Sequence, residues 1–279
     1  MQGGGAQTAE VGRVTVVFWS GDQGTALALA ELADRQSRWP GIPDPPIERL
    51  RLIYADTEER FDSVTGGRVP EWGAAATFPA ARTIVLRRTR DLPRVLRHEL
   101  AHLVLHSVVR RVPRWFDEGY AAYAAGEWGR VEALRVNWAL LRGAAPSLRE
   151  IDRRIRRGGA SDAEASYALA TTAVLALERL GGERGLEPLL TRLGRTGDFD
   201  LALRATHQLT LGQFEDRWRR EIRRRYGWLL VFSSLTVFWI FAGLLLAALW
   251  LRRRHHDRER REALNDGWFV PEEQWNIDS

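Results

Sequence analysis

The 279-residue chain contains no cysteine and no lysine. Without cysteine there are no disulfides, no cysteine-ligated zinc and no thiol nucleophile, although the compartment stays open. Without lysine, all 41 basic residues are arginine. Beside so much Ala, Gly and Leu, that reads as a GC-rich coding bias and not as a functional device. Excess charge is also scarce: the net value is +5, and the arginines are spread along the chain, clustering only beside one apolar segment. A phosphate-binding face is therefore not indicated, and no nucleic-acid partner is expected. The opening "MQGGGAQTAEVGR" has no apolar stretch, hence no signal peptide as written. Hydrophobic residues at 45% and charged residues at 28% describe a globular chain.

One apolar run is present. "WLLVFSSLTVFWIFAGLLLAALWL", residues 228–251, is 24 residues without a charge, with Trp228 and Trp250 near its ends. At about 1.5 Å per residue a helix of that length reaches roughly 36 Å, enough to cross a bilayer with some tilt. The expectation is a single transmembrane helix over 228–251, in contact with lipid, followed by a charged, mostly disordered tail over 252–279. Six arginines lie in the fifteen residues on each side, so the charge rule leaves the orientation tied.

The remainder predicts an α+β fold: a disordered stretch over 1–12, then one domain over 13–227. Within it, 13–90 forms a small mixed sheet with helices. Strands are expected at Arg13–Trp19, Glu48–Ala55 and Ala81–Arg87, with a short helix capped by Asp56 and Glu59. Residues 91–227 read as mainly helical. The first helix, about 92–109, opens at Asp91 and stops before Pro113; a second begins near Arg114. Capping boxes are expected at Ser161 with Glu164 and at Thr210 with Gln213. Gly158–Gly159 is a candidate hinge.

Three of the six histidines fall in "VLRHELAHLVLH". His98 and His102, four residues and about 400° apart, share one helix face and can bind one ion. Glu99 then lies beside that ion, placed to take a proton from water, which gives HExxH its hydrolytic use. A catalytic zinc usually takes three protein ligands. His106 is displaced a further turn along the axis, about 6 Å, and rotated away, so it is expected on the helix surface or behind the ligands. Glu118, sixteen residues past His102 on the next helix, can return to the ion; Trp115 and Phe116 would anchor that turn and Gly119 would let the backbone pass close. His207 reads as a helix-surface residue, and His255 and His256 as part of the tail.

"LRHELAHLVLH" followed by "VPRWFDEGYAAYAAGEW" resembles the gluzincin, or peptidase MA-like, metallopeptidases of bacteria, over roughly Arg13 to Gly227. The resemblance implies one zinc ion held by His98, His102 and Glu118, Glu99 as catalytic base, and a peptide or protein substrate. It further implies that Thr83, Ile84, Val85 and Leu86 form an edge strand along which an extended peptide pairs, and that Tyr167 is a candidate donor to the oxyanion. It favours a catalytic domain outside the cytoplasmic membrane. Thermolysin-type members place an aspartate four residues after the glutamate ligand; here that residue is Ala122, so support for the histidines must come from elsewhere. The alternative is a membrane-anchored binding or scaffold protein that keeps the fold without activity.

Overall fold

A computed structural model describes residues 5–19, 21–46, 48–67, 73–141, 145–157, 160–226 and 238–254. The chain divides into two compact units, Met1–Gly227 and Trp228–Ser279.

The first unit is α+β. Its sheet is built from β1 (Gln7–Val11), β2 (Val14–Phe18), β3 (Leu50–Ala55), β4 (Ala75–Phe78) and β5 (Thr83–Arg87), in the order β1-β2-β3-β5-β4. The three central strands are parallel and both outer pairings are antiparallel. Central strands of this kind are covered on both faces and so read as near-continuous apolar runs. One face of β2, β3 and β5 (Val16, Leu52, Ile84, Leu86) packs into the main core beneath α1 (Gln23–Arg35) and α3 (Leu92–Val108). The other (Val17, Ile53, Val85) meets Phe61 of α2 (Glu58–Thr65).

Two features of the sheet differ from expectation. Residues 7–11 form a strand where disorder was expected over 1–12. The turn Gly12–Arg13, with Gly12 at φ 54°, folds β1 back on β2, where Val11 pairs Val14. At the opposite side, β5 is not an edge. It lies between β3 and β4 with both sides paired, and Ile84, Val85 and Leu86 are fully buried. The 3₁₀ turn Pro79–Ala81, closed by Arg82 at φ 47°, reverses the chain and lays the short β4 outside β5.

The helical remainder comprises α4 (Arg114–Ala124), α5 (Arg130–Leu141), α6 (Leu148–Arg157), α7 (Ala160–Leu180), α8 (Glu187–Thr196), α9 (Phe199–His207) and α10 (Leu211–Tyr226). Asp91 caps α3, accepting from the Arg94 amide at 3.3 Å, with Pro93 in the first turn. In α2 the cap is Thr57; Asp56 instead grips Arg60 at 2.6 Å. The Thr210–Gln213 box is reciprocal, at 2.9 and 3.1 Å, and opens α10. At the other expected box α7 already begins at Ala160, and Glu164 pairs with Arg135 at 3.1 Å. The candidate hinge at 158–159 lies outside the described residues.

In the second unit, residues 238–254 are helical, and the large apolar side chains from Phe238 to Leu251 are exposed. Among the described residues no helix is long and apolar enough to cross a membrane. Of the span expected over 228–251, residues 228–237 lie outside the described residues, as do the tail residues 255–279 with His255 and His256.

Candidate active site

The site is made by α3 and α4. Pro113 ends the connection from α3, and the first turn of α4 is tied down twice. The Trp115 amide donates to Asp152 Oδ1 of α6 at 2.6 Å, and Trp115 and Phe116 are sunk among Phe199 and Phe214. Burying Phe116 completely contributes about 2–3 kcal/mol. Three residues after Phe116, α4 presses against α7 at Gly119, where an added Cβ would sit 2.6 Å from the Ala170 carbonyl oxygen. The anchor and the close approach together fix where Asp117 and Glu118 point.

Glu118, 7% exposed, turns its carboxylate to the two histidines: Oε2 lies 3.6 Å from His98 Nε2 and 3.6 Å from His102 Nε2. Its other oxygen is held by Arg114, Nη2 to Oε1 at 3.2 Å, so a single oxygen is left for the imidazoles. One donor atom from each of His98, His102 and Glu118 falls within 4.8 Å of the others.

Each ring is braced from behind. His102 Nδ1 is 2.7 Å from Asp117 Oδ1, and His98 Nδ1 is 3.1 Å from Glu127 Oε1. With Nδ1 donating to a carboxylate, Nε2 carries the lone pair and faces the partner ligands. A tetrahedral ion with bonds of about 2.0–2.1 Å needs ligand atoms roughly 3.3–3.5 Å apart. The two nitrogen–oxygen separations of 3.6 Å come close to that, and two imidazoles with one carboxylate are a donor set that zinc takes.

The electrostatics agree with that fit. Burial opposes charge on both imidazoles, yet the carboxylates outweigh it. Hydrogen bonds to Glu118 and Glu127 hold His98 well above the ordinary imidazole value, and those to Asp117 and Glu118 lift His102 to about 9. Burial would likewise raise the two acids, but contact with His102 and its neighbours drives Asp117 far down and Glu118 down to about 2. The carboxylates that favour positive charge on the rings would equally favour a metal cation between them.

Glu99 lies on α3 between the two histidines, and its Oε2 accepts from Thr77 Oγ1 of β4 at 2.6 Å. Tyr167 of α7 is half-buried. Burial raises its phenol, and the charges of Glu118, Glu99 and Glu127 raise it further against Arg114, so it lies within the field of the same cluster. His106 stands behind the ligands, Nε2 to Asp117 Oδ2 at 3.1 Å. Ala122 is buried and offers no support; Asp117 supplies it, from the position before the glutamate and not from four after. Thr83, Ile84, Val85 and Leu86 are not brought to an open edge; on that side of the sheet the outer strand is β4.

Four residues at the site carried no role in the sequence reading: Thr77, Arg114, Asp117 and Glu127. Asp117 had a usable signal, since His102 and His106 stand one turn apart and a carboxylate beside Glu118 can meet both rings. Glu127 reaches the site only because Gly126, at φ 72°, turns the chain after α4.

No curated protein matches the sequence. Similar solved structures include an M1 zinc metallopeptidase from Deinococcus radiodurans, 17% identical over 77% of this chain and 51% of that one, with a TM-score of 0.46. Two others are structures of a mutant two-domain M1 zinc metallopeptidase. One is bound to L-tryptophan (17% identity, 77% and 51% covered, TM-score 0.43), the other to L-arginine (17%, 78% and 50%, 0.41). The chain spans about half the length of the solved structures it matches. The family described as the peptidase MA superfamily matches residues 47–224, the greater part of the sequence and all of the α3–α4 site, and the chain belongs to that superfamily.

Proposed function

We propose that this chain is a zinc-dependent metallopeptidase that hydrolyses peptide bonds in peptide or protein substrates. One observation carries the reading: His98, His102 and Glu118 present one donor atom each within 4.8 Å, with Glu99 beside them on α3. Zinc, when bound, supplies Lewis acidity and a readily deprotonated water. Glu99 takes the proton of the attacking water and passes it to the leaving amine nitrogen. Thr77 keeps that carboxylate turned toward the histidines. Tyr167 donates its hydroxyl hydrogen to the carbonyl oxygen as negative charge builds there.

The substrate strand belongs on β4. The Arg87 amide donates to the Ala74 carbonyl, so in this antiparallel pair Ala74, Ala76 and Phe78 spend their backbone groups on β5. Ala75 and Thr77 point theirs away from it, and these can pair with an extended peptide beside Glu99.

The domain over 13–227 is tethered by 228–251, a reading supported by the uncharged 24-residue run, and lies outside the cytoplasmic membrane, as the resemblance to bacterial peptidase MA-like enzymes favours. Because the chain has no cysteine, single cysteines introduced at Ser63 and at Ser279 report topology directly. An impermeant maleimide applied to intact cells is expected to label the first and not the second. Equal labelling of both, or the reverse pattern, removes this placement.

The catalytic reading is tested by metal analysis of the purified chain followed by a peptide-library screen. One zinc per chain and cleavage that Glu99→Gln abolishes while retaining the metal are expected. A chain that takes up no zinc, or a Glu99→Gln variant cleaving at the parent rate, refutes it.

A further inference from the structure

We propose that His106 is a positioning residue that acts through Asp117 to set how tightly the site holds zinc; the inference rests on the zinc reading above. In sequence His106 follows His102 by four residues, a turn too far along the helix to join the ligands. In the structure it stands outside the group formed by His98, His102 and Glu118 and spends Nε2 on Asp117 instead.

Asp117 is held at both oxygens. Oδ1 meets His102 Nδ1 at 2.7 Å and Oδ2 meets His106 Nε2 at 3.1 Å. A carboxylate fixed at one oxygen can swing about its Cβ–Cγ bond, whereas one fixed at both cannot swing without losing a hydrogen bond. The two imidazoles use opposite ring nitrogens, so a single acid fixes His102 with Nε2 toward Glu118 and fixes His106 away from the ligand role. All three side chains are mostly covered, at 14, 19 and 21% exposure for His102, Asp117 and His106, so water competes poorly for these bonds.

The braces on the two ligands are unequal. Glu127, which supports His98 at 3.1 Å, is 26% exposed and follows the turn at Gly126. The His102 side is the stiffer one, and His106 makes it so. Partners behind metal ligands commonly change affinity by about 10–100-fold when lost.

The test measures zinc affinity of the full chain by competition with a fluorescent chelator, at one pH. His106→Phe is expected to weaken zinc about tenfold, and His106→Gln, whose amide nitrogen can still donate to Asp117, to recover most of the loss. Asp117→Ala should weaken zinc further, and adding His106→Phe to it should change nothing more. With cobalt(II) in place of zinc, the visible spectrum of His106→Phe should move toward that of Asp117→Ala. Thermal midpoints of the metal-free variants within a few degrees of the parent show that each still folds, and if His106→Phe does not, the Gln variant against Asp117→Ala carries the comparison. Parent affinity in His106→Phe, or losses that simply add in the double variant, overturn the proposal. A parent chain that takes up no zinc overturns the zinc reading itself, before any variant is compared.

Discussion

Thr77 and Glu99 are 22 residues apart in sequence and on different layers, yet Thr77 Oγ1 lies 2.6 Å from Glu99 Oε2. The hydroxyl has one proton; the Glu99 carbonyl oxygen, at 3.2 Å, is the more distant acceptor. In the proposed reaction, the strand that offers its edge to a substrate thus also holds the residue that works on it. A hydrogen bond to a charged group is worth about 1.5–3 kcal/mol, or roughly 10–100-fold in rate. Thr77→Val should lower kcat by that much with little change in KM, and Thr77→Ser should keep most of the activity. Steady-state kinetics on a peptide from the library screen decides it; a loss confined to KM would place Thr77 in binding alone.

Gly119 sits where α4 crosses α7. A methyl there would lie 2.6 Å from the Ala170 carbonyl oxygen and 2.9 Å from Val174 Cγ2, and the first of these is backbone that cannot turn aside. Gly119→Ala should destabilise the domain by about 1–3 kcal/mol and, by pushing α4 off α7, weaken zinc as well. Thermal unfolding of the metal-free chain beside a chelator titration checks both. A variant with parent stability would mean that the helices separate at no cost.

What sequence alone could reach divides along physical lines. Helix faces follow a local period, so the pairing of His98 with His102 and the caps at Asp91 and Thr210 could be read from neighbouring residues. Glu118 was within reach because a proline break and two aromatics bracket a short return. Strand order is not local. Whether β5 is an edge depends on a reversal through Arg82 that places four residues, Ala75–Phe78, outside it, and nothing in "AATF" announces a strand. Strand β1 was hidden behind a glycine-rich opening whose last glycine turned out to be a hairpin turn. Asp117 and Glu127 act on rings 15 and 29 residues away, distances set by the packing of α4 against α3.

His207, at the end of α9, has its Nε2 buried without a hydrogen-bond partner among the described residues, and burial lowers its affinity for a proton. The sign follows from linkage. The folded value lies below the unfolded one of about 6.5, so the neutral ring is favoured by the fold. The resulting stability is fully present above that pH and is lost as pH falls through 6.5 toward the lowered folded value. Between pH 7.5 and 5.5 His207 therefore lowers the thermal midpoint of the metal-free chain, against the opposite contribution of His98 and His102, and His207→Phe should remove the lowering part. An unchanged pH slope in the variant would assign the acid sensitivity to other groups.

Ala75 tests the substrate edge separately from the chemistry. Its amide points away from β5, so a proline there removes no bond of the sheet, and edge strands accept proline where the N–H faces outward. The same amide is the first donor that an extended peptide laid along β4 would meet. Ala75→Pro is expected to leave the fold within about 1 kcal/mol of the parent, because the bonds of Ala74 to Arg87 and of Ala76 to Val85 are kept. KM should rise about tenfold, near the worth of one backbone hydrogen bond at 0.5–1.5 kcal/mol together with the lost pairing of its neighbour, while kcat changes less. Substrates N-methylated at successive backbone positions supply the complementary arm, since each removes one donor from the peptide side. If Ala75→Pro folds and cleaves with the parent KM, the peptide does not pair with β4, and the path of the substrate across Glu99 must run elsewhere.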